Sequence, residues 1–317
     1  HLLPQPETEV ILAKAPGLYP HNRSASYLLA RRKGTDLTSG FATVMEPYAK
    51  VTESDGSPAA PILDSAERVD IQCEVDSDVE PIGVHVRRRG RDEYLFSASA
   101  DAHEKTAQTA FGEVRWRGAA LFIAAEGRNV QTLATVGAWD VRLDGKPCGP
   151  KRGVFSGAVV VLDREEHWVE TDSQFTLDES SAAAVHFSNS GYSRNTVYRI
   201  YGIQPTAHGT RISLGPQPTL LGQGRVHQLE PGTIQSDVPH EYTRSVVGGN
   251  NPRFFDGKLV TNQSGAATQI KTMEFGTPTK LKVESTEGFQ DGDTLYYYDI
   301  QEGDRLTIPT AWEGRPE

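Results

Sequence analysis

The chain has 317 residues, of which 37% are hydrophobic, with 30 Gly, 19 Pro and 2 Met; this balance favours short strands joined by turns over long helices, and the length admits one large or two smaller domains. The formal net charge is −10, with 19 Lys and Arg against 21 Asp and Glu in residues 1–158 and 13 against 21 in residues 159–317, which argues against non-specific nucleic-acid binding, because neutralising phosphates needs a basic surface. The longest apolar runs, such as Ala158–Leu162, fall far short of the roughly 20 residues of a bilayer-spanning helix, so no membrane span is expected.

The N-terminus opens at His1-Leu2-Leu3-Pro4, without the charged segment, apolar stretch and small-residue cleavage site of a signal peptide, and reads as a mature end or as a piece of something longer. Glu7–Lys14 is a short strand, and Ala15–Ser26, with Pro16, Gly17, Pro20 and Asn22, has turn chemistry. Two strands follow, Tyr27–Gly34 and the β-branched later half of Asp36–Tyr48, joined through Arg32–Asp36 and closed by Pro47. Residues 52–61 are a loop of Ser, Pro, Gly and Ala. Val69–Val75 is apolar at odd and polar at even positions, the pattern of a half-buried strand. Gly83–Val86 and Tyr94–Phe96 flank the charged tip Arg87–Glu93 of a hairpin.

Further strands are expected at Gly112–Trp116, Ala119–Ala124, Asn129–Thr135, Trp139–Leu143, Gly157–Leu162, Ala183–Phe187 and Val197–Ile203. The pattern continues at Arg211–Leu214, Lys258–Thr261, Lys280–Glu284, Thr294–Ile300 and Arg305–Ile308. No helix of more than about three turns is expected. Turn pairs such as Asp55-Gly56, Asp144-Gly145, Asp256-Gly257, Asp291-Gly292 and Glu302-Gly303 recur at short spacing, as antiparallel sheets require. No fixed-period repeat points to a propeller or solenoid. The chain therefore reads as all-β, with Gly248–Pro252 the best internal boundary, dividing residues 1–247 from a small terminal β subdomain over 248–317.

Cys73 and Cys148 are too few for a disulfide scaffold and form either one bridge or two free thiols. No two of the nine histidines have the spacing of a metal motif, and each reads as a surface or structural residue. Asp291-Gly292-Asp293 lacks the remaining ligands of a calcium loop and reads as a tight turn. Asn22-Arg23-Ser24 and Asn262-Gln263-Ser264 match the glycosylation acceptor pattern, while no local Ser-His-Asp signature, phosphate loop or dinucleotide fingerprint occurs. Two basic clusters, Arg31-Arg32-Lys33 and Arg87-Arg88-Arg89 with Arg91, have chemistry suited to a polyanionic sugar, since guanidinium groups bind carboxylate or sulfate bidentately. The alternative is that they cap exposed hairpins, with Asp36, Asp92 and Glu93 as counter-charges. Trp116, Trp139, Trp168, Trp312 and Tyr296-Tyr297-Tyr298 are candidate platforms for sugar rings, with Tyr296 and Tyr298 on one face of a strand and Tyr297 on the other; core packing is the alternative role.

The segment Tyr27-Leu28-Leu29-Ala30-Arg31-Arg32, followed by Leu37–Tyr48 with its Glu46-Pro47-Tyr48 ending, resembles heparinase II/III-like polysaccharide lyases. Weaker similarity lies in His1-Leu2-Leu3 with Glu9-Val10-Ile11, in Asp92–Ser97, and in Tyr297–Ile300 followed by Gly303-Asp304. The resemblance implies an antiparallel β-sandwich of the kind that follows a helical toroid in this family, and cleavage of uronate-containing polysaccharides by β-elimination. That chemistry needs a neutraliser for the uronate carboxylate, a base for the C5 proton and an acid for the leaving oxygen. The family draws these groups largely from the toroid and the first sandwich strands, and no catalytic residue carries over to this sequence. The resemblance thus implies a secreted or periplasmic β portion whose partners are an acidic polysaccharide and a helical toroid domain, and which is catalytically silent by itself. Tyr27, Arg31, Arg32, Lys33, Arg87 and Arg89 are the candidate substrate contacts. No cofactor is implied, and a structural divalent metal, present in some members, is left open. A non-catalytic carbohydrate-binding or structural β module is the alternative.

Overall fold

The computed structural model describes residues 2–3, 7–16, 24–35, 40–45, 63–76, 79–175, 184–217, 219–237 and 252–316. The first strands are β1 (Leu2–Leu3), β2 (Glu9–Pro16), β3 (Ser24–Arg31), β4 (Ala42–Thr43), β5 (Leu63–Val69), β6 (Ile71–Cys73), β7 (Ile82–Arg88) and β8 (Arg91–Ser97). There follow β9 (Glu104–Thr109), β10 (Gly112–Glu126), β11 (Asn129–Leu143), β12 (Lys146–Pro147), β13 (Val154–Asp163), β14 (Trp168–Thr171), β15 (Ala184–Ser188), β16 (Thr196–Arg199), β17 (Gly202–Pro205) and β18 (Thr210–Ser213). The last are β19 (Leu220–Glu230), β20 (Thr233–Ser236), β21 (Leu259–Asn262), β22 (Ala267–Glu274), β23 (Thr279–Val283), β24 (Thr294–Tyr298), β25 (Arg305–Pro309) and β26 (Ala311–Gly314). Among the described residues a 3-10 turn, Pro252–Phe255, lies between β20 and β21. The protein is all-β, its described strands pair antiparallel, and no helix among the described residues is long and apolar enough to cross a membrane.

Two compact units divide the chain at Gly153/Val154 and again at Pro309/Thr310, so that residues 310–317 return to the first unit. Residues 248–251 lie outside the described residues, and the strands before and after them, β19–β20 and β21–β24, close a single barrel.

In the first unit the nine-stranded sheet is built on the long hairpin β10–β11. The N-terminal half of β10 pairs with β9 and its C-terminal half with β8, so one strand serves two parts of the sheet. The change-over lies at Gly118 and Gly137, both with positive φ, beside a register shift between Arg115 and Arg117. Before it, Val114 and Trp116 point to the core; after it, Leu121, Ile123 and Ala125 do. Since side chains alternate faces, even-numbered and odd-numbered residues reach the same core only because the bulge moves the phase by one. Both halves then enclose one cluster, with Tyr94, Phe96, Leu133 and Val141 among its members. Beside Gly118 there is no room for a side chain, because a Cβ would stand 2.1 Å from the Gly137 carbonyl oxygen and 2.5 Å from the Trp139 ring.

The second unit joins a seven-stranded sheet, in the order β16-β15-β25-β13-β14-β18-β17, to a closed six-stranded barrel of β19, β20, β23, β22, β21 and β24. Each has its own apolar core: Val159, Val169, Phe187, Ile212 and Leu306 in the sheet, and Ile234, Val260, Leu281, Leu295 and Tyr297 in the barrel. A buried polar network links them. Lys258, fully buried, donates to the Asp299 carbonyl and pairs with the Asp299 carboxylate, each at 2.8 Å, while its ammonium lies 3.7 Å above the Tyr192 ring. Thr196 and Tyr198 of β16 donate to the other carboxylate oxygen of Asp299 at 2.5 and 3.0 Å. Asp304, also fully buried, accepts from Tyr192 Oη at 2.6 Å, Asn189 Nδ2 at 2.9 Å and the Gln301 amide at 3.0 Å. Burial holds the Asp304 carboxyl above its ordinary range, and burial together with Asp304 pushes the Tyr192 phenol up.

Replacing Gly118→Ala should destabilise the first unit by at least about 1–3 kcal/mol, from the positive φ alone, seen as a lower urea midpoint. Lys258→Met leaves a charged, buried Asp299 and should cost about 3–5 kcal/mol. In Lys258→Met/Asp299→Leu most of that loss should return, and equilibrium unfolding of both variants checks it.

Candidate functional site

The hairpin β2–β3 forms a two-stranded sheet of its own. Its register sets Val10 against Ala30 and Leu12 against Leu28 on one face, and Ile11 against Leu29 on the other. Val10, Leu12, Leu28 and Leu29 are all exposed, Leu12 at 76%. A two-stranded hairpin is marginal in water without a surface to pack on, so apolar residues exposed on both its faces mark it as something to be covered.

A second open apolar surface lies on the outer side of β7, β8 and β10. There Val84, Leu95 and Phe122 stand directly opposite one another across the three strands, and Ala134 of β11 extends the row. They are outside for the same reason that Tyr94, Phe96, Leu121 and Ile123 are inside, the alternation of a strand. Strands β1 and β4 cover one end, where Leu3 and Ala42 pack on Val84. Beyond them Phe41, Met45 and Leu95 remain exposed around a cavity of about 540 Å³, and Val136 of β11 is exposed as well.

The candidate cations sit at the ends of these two elements. Tyr27 takes its place in β3 opposite Ala13, and its side chain lies outside the described residues. Arg31 is opposite Glu9 and makes an ion pair with it at 2.5 Å. Arg32 is half-buried and Lys33 is exposed. In the β7–β8 hairpin, Arg89 and Gly90 both have positive φ, the backbone of a tight two-residue turn. Arg87 faces Asp92 across the ladder, with 3.7 Å between charged atoms, and Glu93 takes Arg88 at 2.9 Å and Arg91 at 3.5 Å. Asp92 and Glu93 thus act as the local counter-charges of the tip, while Asp36 lies outside the described residues. Arg89 is exposed and has no ion pair among the described residues. The arginine clusters belong to different sheets, and no strand ladder among the described residues joins them.

Spacing along the chain does not reveal the constellation around His85. Its Nδ1 lies 2.8 Å from Glu67 and its Nε2 2.9 Å from buried Asp92, and the ring stacks on Tyr94 with centroids 4.4 Å apart. The three strands β5, β7 and β8 place Glu67, His85 and Tyr94 in one cross-strand row. The row closes the edge of the apolar core, since Tyr94 belongs to that core.

Most of the other candidates are structural. Trp116 is fully buried, Trp139 fills the space over Gly118 and Gly153, and Trp312 packs on the first core. Tyr297 points into the barrel, and Tyr298, on the other face, lies under the Arg164 guanidinium at 4.2 Å. The Asp293 carboxylate is taken up by Asn262, Gln263 and the Gln290 amide, which makes Asp291-Gly292-Asp293 a hydrogen-bonded turn. Asn262 is buried and bonded through both its nitrogen and its oxygen, which leaves it no role as a glycosylation acceptor; Asn22 lies outside the described residues. Cys73 and Cys148 are separate thiols, and burial pushes that of Cys148 up to about 11. Among the described residues no group of three or more His, Cys, Asp or Glu is arranged to hold a metal.

Among the described residues of the first unit, one cation is buried. Lys105 is 1% exposed and donates to the Asp101 carboxylate at 2.6 Å and to the His103 carbonyl at 3.1 Å. Burial works to raise the Asp101 carboxyl, but hydrogen bonds from Lys105, Ser99 and the His103 amide outweigh it and hold it at about 2.

Compared with protein families, with curated proteins and with solved structures, the chain matches no family model, no curated protein and no solved structure.

Because the folded Asp101 carboxyl lies below its unfolded value, its contribution to stability is complete above the ordinary carboxylate range and disappears as pH falls through about 2. In Asp101→Asn the decline of thermal stability between pH 4 and pH 2 should be shallower than in the parent, with a lower plateau near neutrality.

Proposed function

We propose that this chain is the β-sandwich portion of a heparinase II/III-like polysaccharide lyase, secreted or periplasmic, whose first unit packs on a helical catalytic domain and borders the cleft for an acidic polysaccharide. The observation that carries this reading is the β2–β3 hairpin, apolar and exposed on both faces, whose second strand enters at Tyr27–Arg31 the stretch Tyr27–Tyr48 on which the resemblance chiefly rests. Leu95 and the half-buried Phe122, beyond the end that β1 and β4 cover, are a second apolar surface available to the same neighbour.

In this reading the chain contributes shape and charge, and the proton transfers of β-elimination belong to the helical domain. Of the cations proposed to meet uronate carboxylates, Lys33 and Arg89 are the exposed ones outside the ion pairs described above, whereas Arg31 already holds Glu9 and Arg87 shares Asp92. An ammonium or guanidinium without a counter-charge gains most from a polyanion, and its contribution is screened by salt.

The chain by itself should release no ultraviolet-absorbing unsaturated uronate from heparan-type, alginate-type or ulvan-type chains, and the longer protein carrying a helical domain should release it from at least one of them. Product from the chain alone, or none from the longer protein on any of the three, overturns the proposal. Lys33→Ala and Arg89→Ala should each raise the KM of the longer protein, with Arg88→Ala, whose charge is already neutralised by Glu93, close to the parent.

A further inference from the structure

We infer that the second unit carries a binding site for an uncharged pyranose ring of a glycan chain, in the cleft between Trp168, Arg211 and Gly202 on the outer face of β14, β18 and β17. The inference goes beyond the lyase reading and does not depend on a catalytic domain.

The cleft has a volume of about 530 Å³ and is lined by Glu166, Trp168, Gly202, Gln204, Arg211 and Ser213. The ladder puts these residues together from distant parts of the sequence. Trp168 is opposite Ser213, which is opposite Gly202; one step along, Glu170 is opposite Arg211, which is opposite Gln204. The alternate residues, Val169 and Ile212, go to the sheet core.

Arg211 lies over the indole of Trp168, with its guanidinium carbon 3.8 Å from the ring centroid. Its charge reaches Glu170 only at 3.7 Å, and its Nε is buried without a hydrogen-bond partner. The guanidinium is thus fixed in place by stacking while most of its donors remain unused. Glu170 is occupied otherwise, accepting from Thr206 Oγ1 at 2.7 Å.

Gly202 is the independent observation. Its φ is not in the positive range that favours glycine, and a Cβ built on it meets only the Ser213 Cβ, at an ordinary 3.7 Å. Glycine in a strand costs backbone entropy and side-chain packing, and here neither conformation nor crowding requires it. What its missing side chain does is leave the space beside Trp168 open. The row from Trp168 through Ser213 to Gly202 descends from the largest side chain to none, which makes a hollow on an edge strand.

A pyranose has apolar C–H faces and a rim of hydroxyls that both donate and accept. The lining answers each part: the stacked Trp168–Arg211 pair as the wall for the face, Arg211 and Gln204 as donors, Glu166 and Gln204 as acceptors. The lining holds one carboxylate, Glu166, and one guanidinium, Arg211, so it carries no net positive charge to draw in an anionic sugar, which favours an uncharged ring.

The test is titration calorimetry of the whole chain with neutral oligosaccharides of the gluco, xylo, manno and galacto series and with oligouronates. Binding of at least one neutral series, weakened more than roughly tenfold by Trp168→Ala and abolished by Gly202→Val, is expected, with thermal unfolding of Gly202→Val unchanged as the fold control. Trp168→Phe should retain part of the affinity. No binding of any neutral series, preference for the oligouronates, or parental affinity in Gly202→Val overturns the inference.

Discussion

A fully buried ammonium group is tolerated only where other groups replace the water it has lost. At Lys258 these are the carbonyl and carboxylate of Asp299 and the face of Tyr192. Asp299 belongs to the end of a barrel strand, yet its second carboxylate oxygen is bonded by Thr196 and Tyr198 of the sheet, and Tyr192 is held in turn by Asp304 next to β25. The barrel and the sheet therefore share one set of charges. Apolar contacts between them would tolerate small rotations, whereas hydrogen bonds to particular atoms do not. The positions of β13, β14, β18 and β17, and with them the cleft on their outer face, follow from a sheet whose other edge is tied to the barrel.

Much of this fold was legible in the sequence, because alternation and turn residues are local signals. The charged tip between Val86 and Tyr94, the turn at Asp144-Gly145 and the opposite faces of Tyr297 and Tyr298 all appear where the pattern places them. The long hairpin is the instructive difference. Gly118 and the stretch around Gly137 read as breaks between short strands, but the structure has two continuous strands of 15 residues each. A glycine that ends a strand and one that turns its phase by a residue look the same in sequence; only the partner strand tells them apart.

The sites show the same limit. The basic tip at Arg87–Arg91 and its counter-charges Asp92 and Glu93 are neighbours in the chain, so both the cation cluster and its neutralisation were readable. Glu9, which neutralises Arg31, lies 22 residues away and was not. Trp168 was legible as an aromatic candidate, but Arg211, Gln204 and Gly202 join it through ladders that no local pattern encodes. Lys258 has a polar side chain at a strand start, and nothing in its surroundings announces complete burial, because its partners Asp299 and Tyr192 lie far along the chain in either direction.

The return of β26 to the first unit has a consequence for how the molecule is made. Thr310 donates its amide to the Gly153 carbonyl at 2.8 Å, so the two points where the chain leaves and re-enters the first unit are adjacent, and the whole of Val154–Pro309 is an insertion between them. During synthesis the second unit emerges complete before β26 exists, while the ladder from Leu133 to Val136 waits for Ala311–Gly314 with its hydrogen-bonding edge unfilled. The inserted unit can therefore mature first, and the older part of the chain is finished last, by residues made more than 150 positions later than the strand they complete. An open strand edge is the usual route to mispairing between nascent chains, so the order of synthesis itself puts a premium on rapid folding of the insertion, which brings Thr310 back beside Gly153.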